Sequence, residues 1–184
     1  MFALATLPMI GAVGTAEATT TQAGGTRRQG SHTLVAYFSR SGNTRVVAGL
    51  IHRGLRTDLF EIQPAVAYPE DYDETVEMAR QESQSGRERA LAARVPNIES
   101  YDTVYLGFPI WGQTVPPVMR TFLTAHDLSS KTLIPFITHG GYGLGDSRTV
   151  LAQLASKAQL RQEFSMEADQ ERRTMQQVNR WLGK

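Results

Sequence analysis

The residues best suited to chemistry fall in three short segments, each directly after an apolar run. They are "SRSGNT" at residues 39–44, "PIWG" at 109–112 and "THGGYG" at 138–143. In the first, Ser39, Ser41, Asn43 and Thr44 carry hydroxyl or amide donors, and Gly42 lets the main chain turn tightly. Successive N–H groups in a tight turn that runs into a helix N-terminus form a concave donor site for an anion. The fitting guest is a phosphate dianion. The same composition also occurs where a turn merely caps a helix. The G-x-x-x-x-G-K-[ST] spacing is absent, and no lysine lies within residues 33–56. No G-x-G-x-x-G follows the first strand either.

These segments need a scaffold that brings them together. "TLVAYFS" (33–39), "DTVYLGFPIW" (102–111) and "KTLIPFITHG" (131–140) are short, continuous apolar runs, predicting strands covered on both faces. "DLFEIQP" (58–64) half-alternates and ends at a proline, and "RQEFSME" (161–167) is a weaker strand. Helices are predicted over 44–56, with Val46, Val47, Leu50, Ile51 and Leu55 as the buried stripe, and over 115–126, 145–158 and 169–184. Pro116 and Pro117 suit the first turn of the second of these. The last would face inward with Met175, Val178 and Leu182. The charged stretch 70–93 reads as a pair of solvated helices broken at Gly86. Strands alternating with helices imply a parallel sheet sandwiched between helices, with ligands outside the carboxyl ends of the strands.

The chain has 184 residues, 41% hydrophobic and 20% charged, which suits one globular domain with its own core. Its net charge of +1 gives no reason to expect nucleic-acid or membrane-surface binding. There is no cysteine, so disulfides, thiol nucleophiles and thiolate metal sites are excluded. Residues 1–16 are apolar and uncharged, and Ala16-Glu17-Ala18 resembles an A-x-A cleavage site. The expectation is a signal-like leader followed by a flexible linker over residues 19–31, with the folded domain over 32–184. That leader suggests export to a periplasmic or other extracytoplasmic space, a cytoplasmic location being the alternative. No stable membrane insertion is expected, because the apolar run is short for a span.

"YFSRSGNT" resembles the phosphate-binding signature of the flavodoxin family, [ST]-x-[ST]-G-x-T after the first strand. The similarity runs over residues 33–184 and includes "YDTVYLGFPIWGQTVPPVMRTFL" and "THGGYGLGDS", like flavodoxins whose second loop reads P-I-W. It implies an α/β fold, a flavodoxin-like three-layer sandwich around a five-stranded parallel sheet in the order 2-1-3-4-5, with FMN at the switch point. By that resemblance Ser39, Arg40, Ser41, Gly42, Asn43 and Thr44 would wrap the FMN phosphate. Pro109, Ile110, Trp111 and Gly112 would line one side of the isoalloxazine. Thr138, His139, Gly140, Gly141, Tyr142 and Gly143 would line the other side and the pyrimidine edge.

A flavin is a flat apolar plate with polar edges, so Trp111 or Tyr142 could stack on it while glycine backbone meets its edge. The alternatives are a core aromatic at Trp111, a surface residue at Tyr142 and a plain hydrogen-bonded loop residue at His139. The resemblance implies an electron-transfer protein shuttling electrons between redox partners. The alternative is an FMN-dependent NAD(P)H:quinone-type reductase, and the choice between carrier and enzyme stays open. The partner would be a redox protein or a small acceptor such as a quinone. Flavodoxins that act as carriers are typically strongly acidic, and this chain is not.

Overall fold

The structure is a computed structural model that describes residues 32–168 and the backbone of 20–22 and 25–27. The expected leader over 1–18 and closing helix over 169–184 lie outside the described residues.

Four parallel strands form the centre: β3 (Thr33–Tyr37), β4 (Asp58–Glu61), β5 (Thr103–Pro109) and β6 (Thr132–His139). β3 lies between β4 and β5, and β5 pairs with β6. β7 (Gln159–Leu160) and β8 (Phe164–Glu167) pair one after the other with the far edge of β6, so the fifth position is shared by two short strands. Counting from β3, the parallel order is 2-1-3-4-5, as expected. β1 (Thr20–Gln22) and β2 (Gly25–Arg27) form an antiparallel hairpin that extends the sheet beyond β4. Part of the segment expected to be a flexible linker therefore pairs its backbone with the sheet edge. Ladder hydrogen bonds ask little of side chains, so its polar composition gave no warning.

Strand alternation divides the core between two faces. Leu34, Ala36, Val104, Leu106, Phe108 and Leu133 meet α3 (Pro117–Ala125) and α4 (Ser147–Leu154), with Met119, Phe122 and Leu151 fully enclosed. Side chains of that size each contribute about 1.5–3 kcal/mol when buried. Val35, Tyr37 and Phe136 on the other face meet Val47 and Ala48 of α1 (Asn43–Leu55). Gly107 pairs with Phe136, whose ring lies so close that an added Cβ would stand 2.1 Å from it.

Two helix expectations change. On α1 the buried positions are Thr44, Val47 and Ala48, while Val46, Leu50 and Leu55 are exposed. The apolar residues of this helix cover two adjoining faces, and periodicity alone cannot say which one meets the sheet. The stretch 70–93 holds one helix, α2 (Tyr72–Ser85), rather than two. Asp71 caps its start by accepting from the Glu74 N–H at 2.9 Å, and Gly86 ends it in the left-handed region at φ 63°. The chain beyond Gly86 then runs back beside residues 63–65, with Ala65 N–H donating to Ala90 O and Ala92 N–H to Gln63 O, both at 2.8 Å. No described helix is long and apolar enough to cross a membrane.

Candidate functional site

The first loop leaves the sheet after Tyr37, where the Phe38 N–H still bonds Gly107 O at 2.9 Å. Gly42 caps α1 with φ 93°, in the left-handed region that favours glycine. It supplies no side-chain cap, and the first turn holds no acid. The first helical bond runs from Val46 N–H to Gly42 O at 3.0 Å, so the N–H groups of Asn43, Thr44 and Arg45 have no partner within the helix. In the same loop the Ser39 hydroxyl is buried with no hydrogen-bond partner among the described residues. A partnerless buried hydroxyl and an uncapped helix start on one loop are features that an anion would complete.

Not every polar side chain of this loop points at that cradle. Asn43 Nδ2 donates to Ala168 O at 2.5 Å and to Ser41 Oγ at 3.3 Å. The Thr44 and Thr138 hydroxyls share a buried hydrogen bond of 2.9 Å, which joins the start of α1 to the end of β6. Arg40 turns toward α2, donating from Nε to Thr75 Oγ1 at 3.2 Å and from Nη2 to Glu70 O at 2.6 Å.

The second loop is a tight hairpin. Trp111 and Thr114 exchange backbone hydrogen bonds of 3.1 and 3.0 Å, and the two residues between them, Gly112 and Gln113, take φ of 55° and 64°. Two successive positive φ values mark the turn that fits the twist of a two-stranded ribbon. The third loop is fastened to it: Asp146 N–H donates to Gln113 O at 3.0 Å. A Cβ on Gly145 would stand 1.8 Å from that same carbonyl. The third loop also holds itself: His139 Nδ1 accepts from the Gly141 N–H at 3.2 Å, so the neutral ring carries its proton on Nε2.

Trp111 is half-buried and fixed by its neighbours. Its ring stands edge-on to Phe38 at 5.2 Å and to Tyr68 at 4.8 Å between centroids. Behind it, Tyr68 OH donates to Glu82 Oε2 at 3.2 Å, the Arg89 guanidinium lies 3.9 Å over the Tyr68 ring, and Arg89 pairs with Glu82. Burial, reinforced by the Glu82 charge, raises the Tyr68 phenol well above its ordinary pKa, so it stays protonated as a donor.

The three loops and one face of α2 enclose a single cleft of about 460 Å³. A model of the flavodoxin family matches residues 32–184. The chain belongs to the flavodoxin family. No curated protein matches it. Among solved structures, a protein described as a flavoprotein from Bacteroides uniformis is 29% identical with a TM-score of 0.69, over 85% of this chain and 100% of that one. Another so described, from Bacteroides eggerthii, is 28% identical with a TM-score of 0.68, over 83% of this chain and 98% of that one. A flavoprotein from Lactobacillus acidophilus, solved in complex with FMN, is 20% identical with a TM-score of 0.63, over 77% of this chain and 96% of that one, and shares the fold.

In this flavodoxin, Arg40, Ser41, Asn43, Pro109, Ile110, Trp111, Gly112, Thr138, His139 and Gly140 line the cleft. Ser39 and Thr44 are buried and outside the lining, Gly42 shapes the turn, and Gly141 and Gly143 bend the third loop with φ of 97° and 73°. Tyr142 is 72% exposed, outside the lining. The sequence reading assigned no role to Tyr72, Thr75, Val76, Ala79, Arg80 and Ser83, which form the α2 wall of the cleft. Their spacing is regularly helical, and the signal was there to see. It went unread because a charged amphipathic stretch is more simply a solvated face.

Proposed function

We propose that this flavodoxin binds FMN and passes electrons between redox partners. The observation that carries the proposal is the uncapped start of α1 on the same loop as the partnerless Ser39 hydroxyl, a donor set suited to a phosphate. Ser39, Ser41 and the N–H groups at the start of α1 would hold the phosphate. The linked second and third loops would present Trp111 and the glycine backbone to the ring and its edge. Bound there, FMN supplies one- and two-electron redox chemistry. The chain's own residues orient the ring, shield one side of it with Ile110 and Trp111, and hold a proton at His139 Nε2 within the cleft. The FMN held by the Lactobacillus acidophilus flavoprotein supports the same reading.

The test is titration of the purified protein with FMN, followed by quenching of flavin fluorescence. Saturable binding is expected, and Ser39→Ala is expected to weaken it by roughly 1.5–3 kcal/mol, the contribution of a hydrogen bond to a charged group. Flavin fluorescence that stays at the free value at every protein concentration refutes the proposal. The second reading, an FMN-dependent NAD(P)H:quinone-type reductase, gains support from the extension of the cleft along α2.

A further inference from the structure

Trp111 is the one tryptophan among the residues that line the cleft. It stands at the corner of a two-residue turn, whose backbone does little to aim an indole. Two other rings aim it, Phe38 and Tyr68, both edge-on. Phe38 is a fixed support: it is 4% exposed and its N–H is bonded to Gly107 O. Tyr68 is a different kind of support. It lies between β4 and α2, in a stretch that belongs to no strand or helix. Connecting segments of that kind are mobile unless something outside them ties them down.

The tie is Arg89. Its Nη2 donates to Val66 O at 2.8 Å and to Ala67 O at 3.1 Å, the two carbonyls just before Tyr68. Its Nε donates to Val66 O at 3.3 Å. The same guanidinium lies 3.9 Å over the Tyr68 ring and pairs with Glu82, which accepts from the Tyr68 hydroxyl. Arg89 is in turn fastened to α3, its backbone N–H donating to Thr121 Oγ1 at 3.2 Å. Backbone, ring and hydroxyl of the Tyr68 stretch therefore converge on one group. The Arg89 and Glu82 side chains are 11% and 9% exposed, so little water competes for them. A planar fork with a stacking face can do all of this at once; a lysine would keep the charge and lose both the fork and the face. Neither Arg89, Glu82 nor Tyr68 lines the cleft.

We propose that Arg89 is a positioning residue of the flavin site: acting through Tyr68, it holds Trp111 in its cleft orientation before the ring arrives. This rests on the FMN reading above. An indole free to turn in the empty cleft would have to be immobilised on binding, and the affinity would fall by that ordering. An indole already held loses nothing further. For one immobilised side chain the difference is about two- to tenfold in affinity. A residue in the charged stretch 70–93, outside the cleft, thereby sets how well the cleft binds.

The experiment reads the indole directly. Every chain carries Trp181→Phe, which leaves Trp111 as the sole tryptophan. Time-resolved fluorescence anisotropy is measured on the FMN-free chain, and FMN is then titrated. The variants are Arg89→Lys and Glu82→Leu/Arg89→Met, the second leaving no stranded charge, so it carries the test should the first fail to fold. In the parent the indole is expected to turn only with the whole protein. In the variants a sub-nanosecond component is expected to appear, with FMN bound about two- to tenfold more weakly. If the pair merely supports the fold, the urea midpoint drops while the indole of the double variant stays as fixed as the parent's, and that result overturns the proposal. So does a parent indole that already turns freely, or a freed indole with FMN affinity unchanged. A parent that binds no FMN refutes the cofactor reading instead. In that event the anisotropy of the FMN-free chains still decides whether Arg89 holds Trp111.

Discussion

Gly145 offers a sharp test of whether the second and third loops act as one unit. Its φ is 53°, and a Cβ there would stand 1.8 Å from Gln113 O and 2.4 Å from the Gln113 carbonyl carbon. Alanine at this position takes on a left-handed conformation worth about 1–2 kcal/mol. It also pushes the Gln113 carbonyl away and breaks the 3.0 Å bond from Asp146 N–H, a further loss of about 1 kcal/mol. The expected destabilisation is therefore about 2–3 kcal/mol. Gly143 is the control: its φ is 73°, but nothing lies within 4 Å of an added Cβ, so Gly143→Ala should lose only the conformational part. Urea unfolding followed by circular dichroism measures both. FMN titration should show Gly145→Ala weakened more than Gly143→Ala, because only the former separates the loops. Equal unfolding midpoints for the two variants would refute the reasoning.

Glu82→Ala strands the nearly buried Arg89 and should lower stability by about 3–5 kcal/mol in thermal unfolding, whereas a Glu82→Leu/Arg89→Met double variant should lose clearly less. His126 Nε2 accepts from the Val95 N–H at 3.0 Å, and burial holds the ring's pKa below its ordinary 6.5. The folded chain thus resists a proton that the unfolded chain takes up. Stability from this residue is full above about pH 6.5 and falls as the pH drops below it, by up to about 1.4 kcal/mol per pH unit. His126→Asn should flatten that part of the profile in urea melts taken between pH 7.5 and 5. Gly107→Ala sets a methyl against the Phe136 ring and should lower stability by about 1–3 kcal/mol, with Phe136→Leu in the same chain restoring part of it.

Much of the architecture was legible in the chain. The apolar runs ending at "SRSGNT", "PIWG" and "THGG" are the strands β3, β5 and β6, and their loops meet at one rim. Pro116 and Pro117 open α3 as expected. The α1 stripe was misread because Val46, Leu50 and Leu55 are apolar yet stand to one side of the face that meets the sheet. The second helix expected after Gly86 gave way to an extended return, for which Arg89 bonds Glu82 and the Val66 and Ala67 carbonyls.

The sequence by itself determined the order of strands and helices and the donor-rich turn at the start of α1. Both depend on residues close in the chain, on period and on turn chemistry. Only the tertiary structure decided that the Arg40 guanidinium reaches Thr75 and the Glu70 carbonyl, that Gly145 must be glycine because of Gln113, and that α2 walls the cleft. Each of these rests on segments far apart in the chain, 30 residues in the case of Arg40 and Glu70, or on a carbonyl that any residue type carries. A contact made by generic backbone, or across such a separation, leaves no mark in local composition.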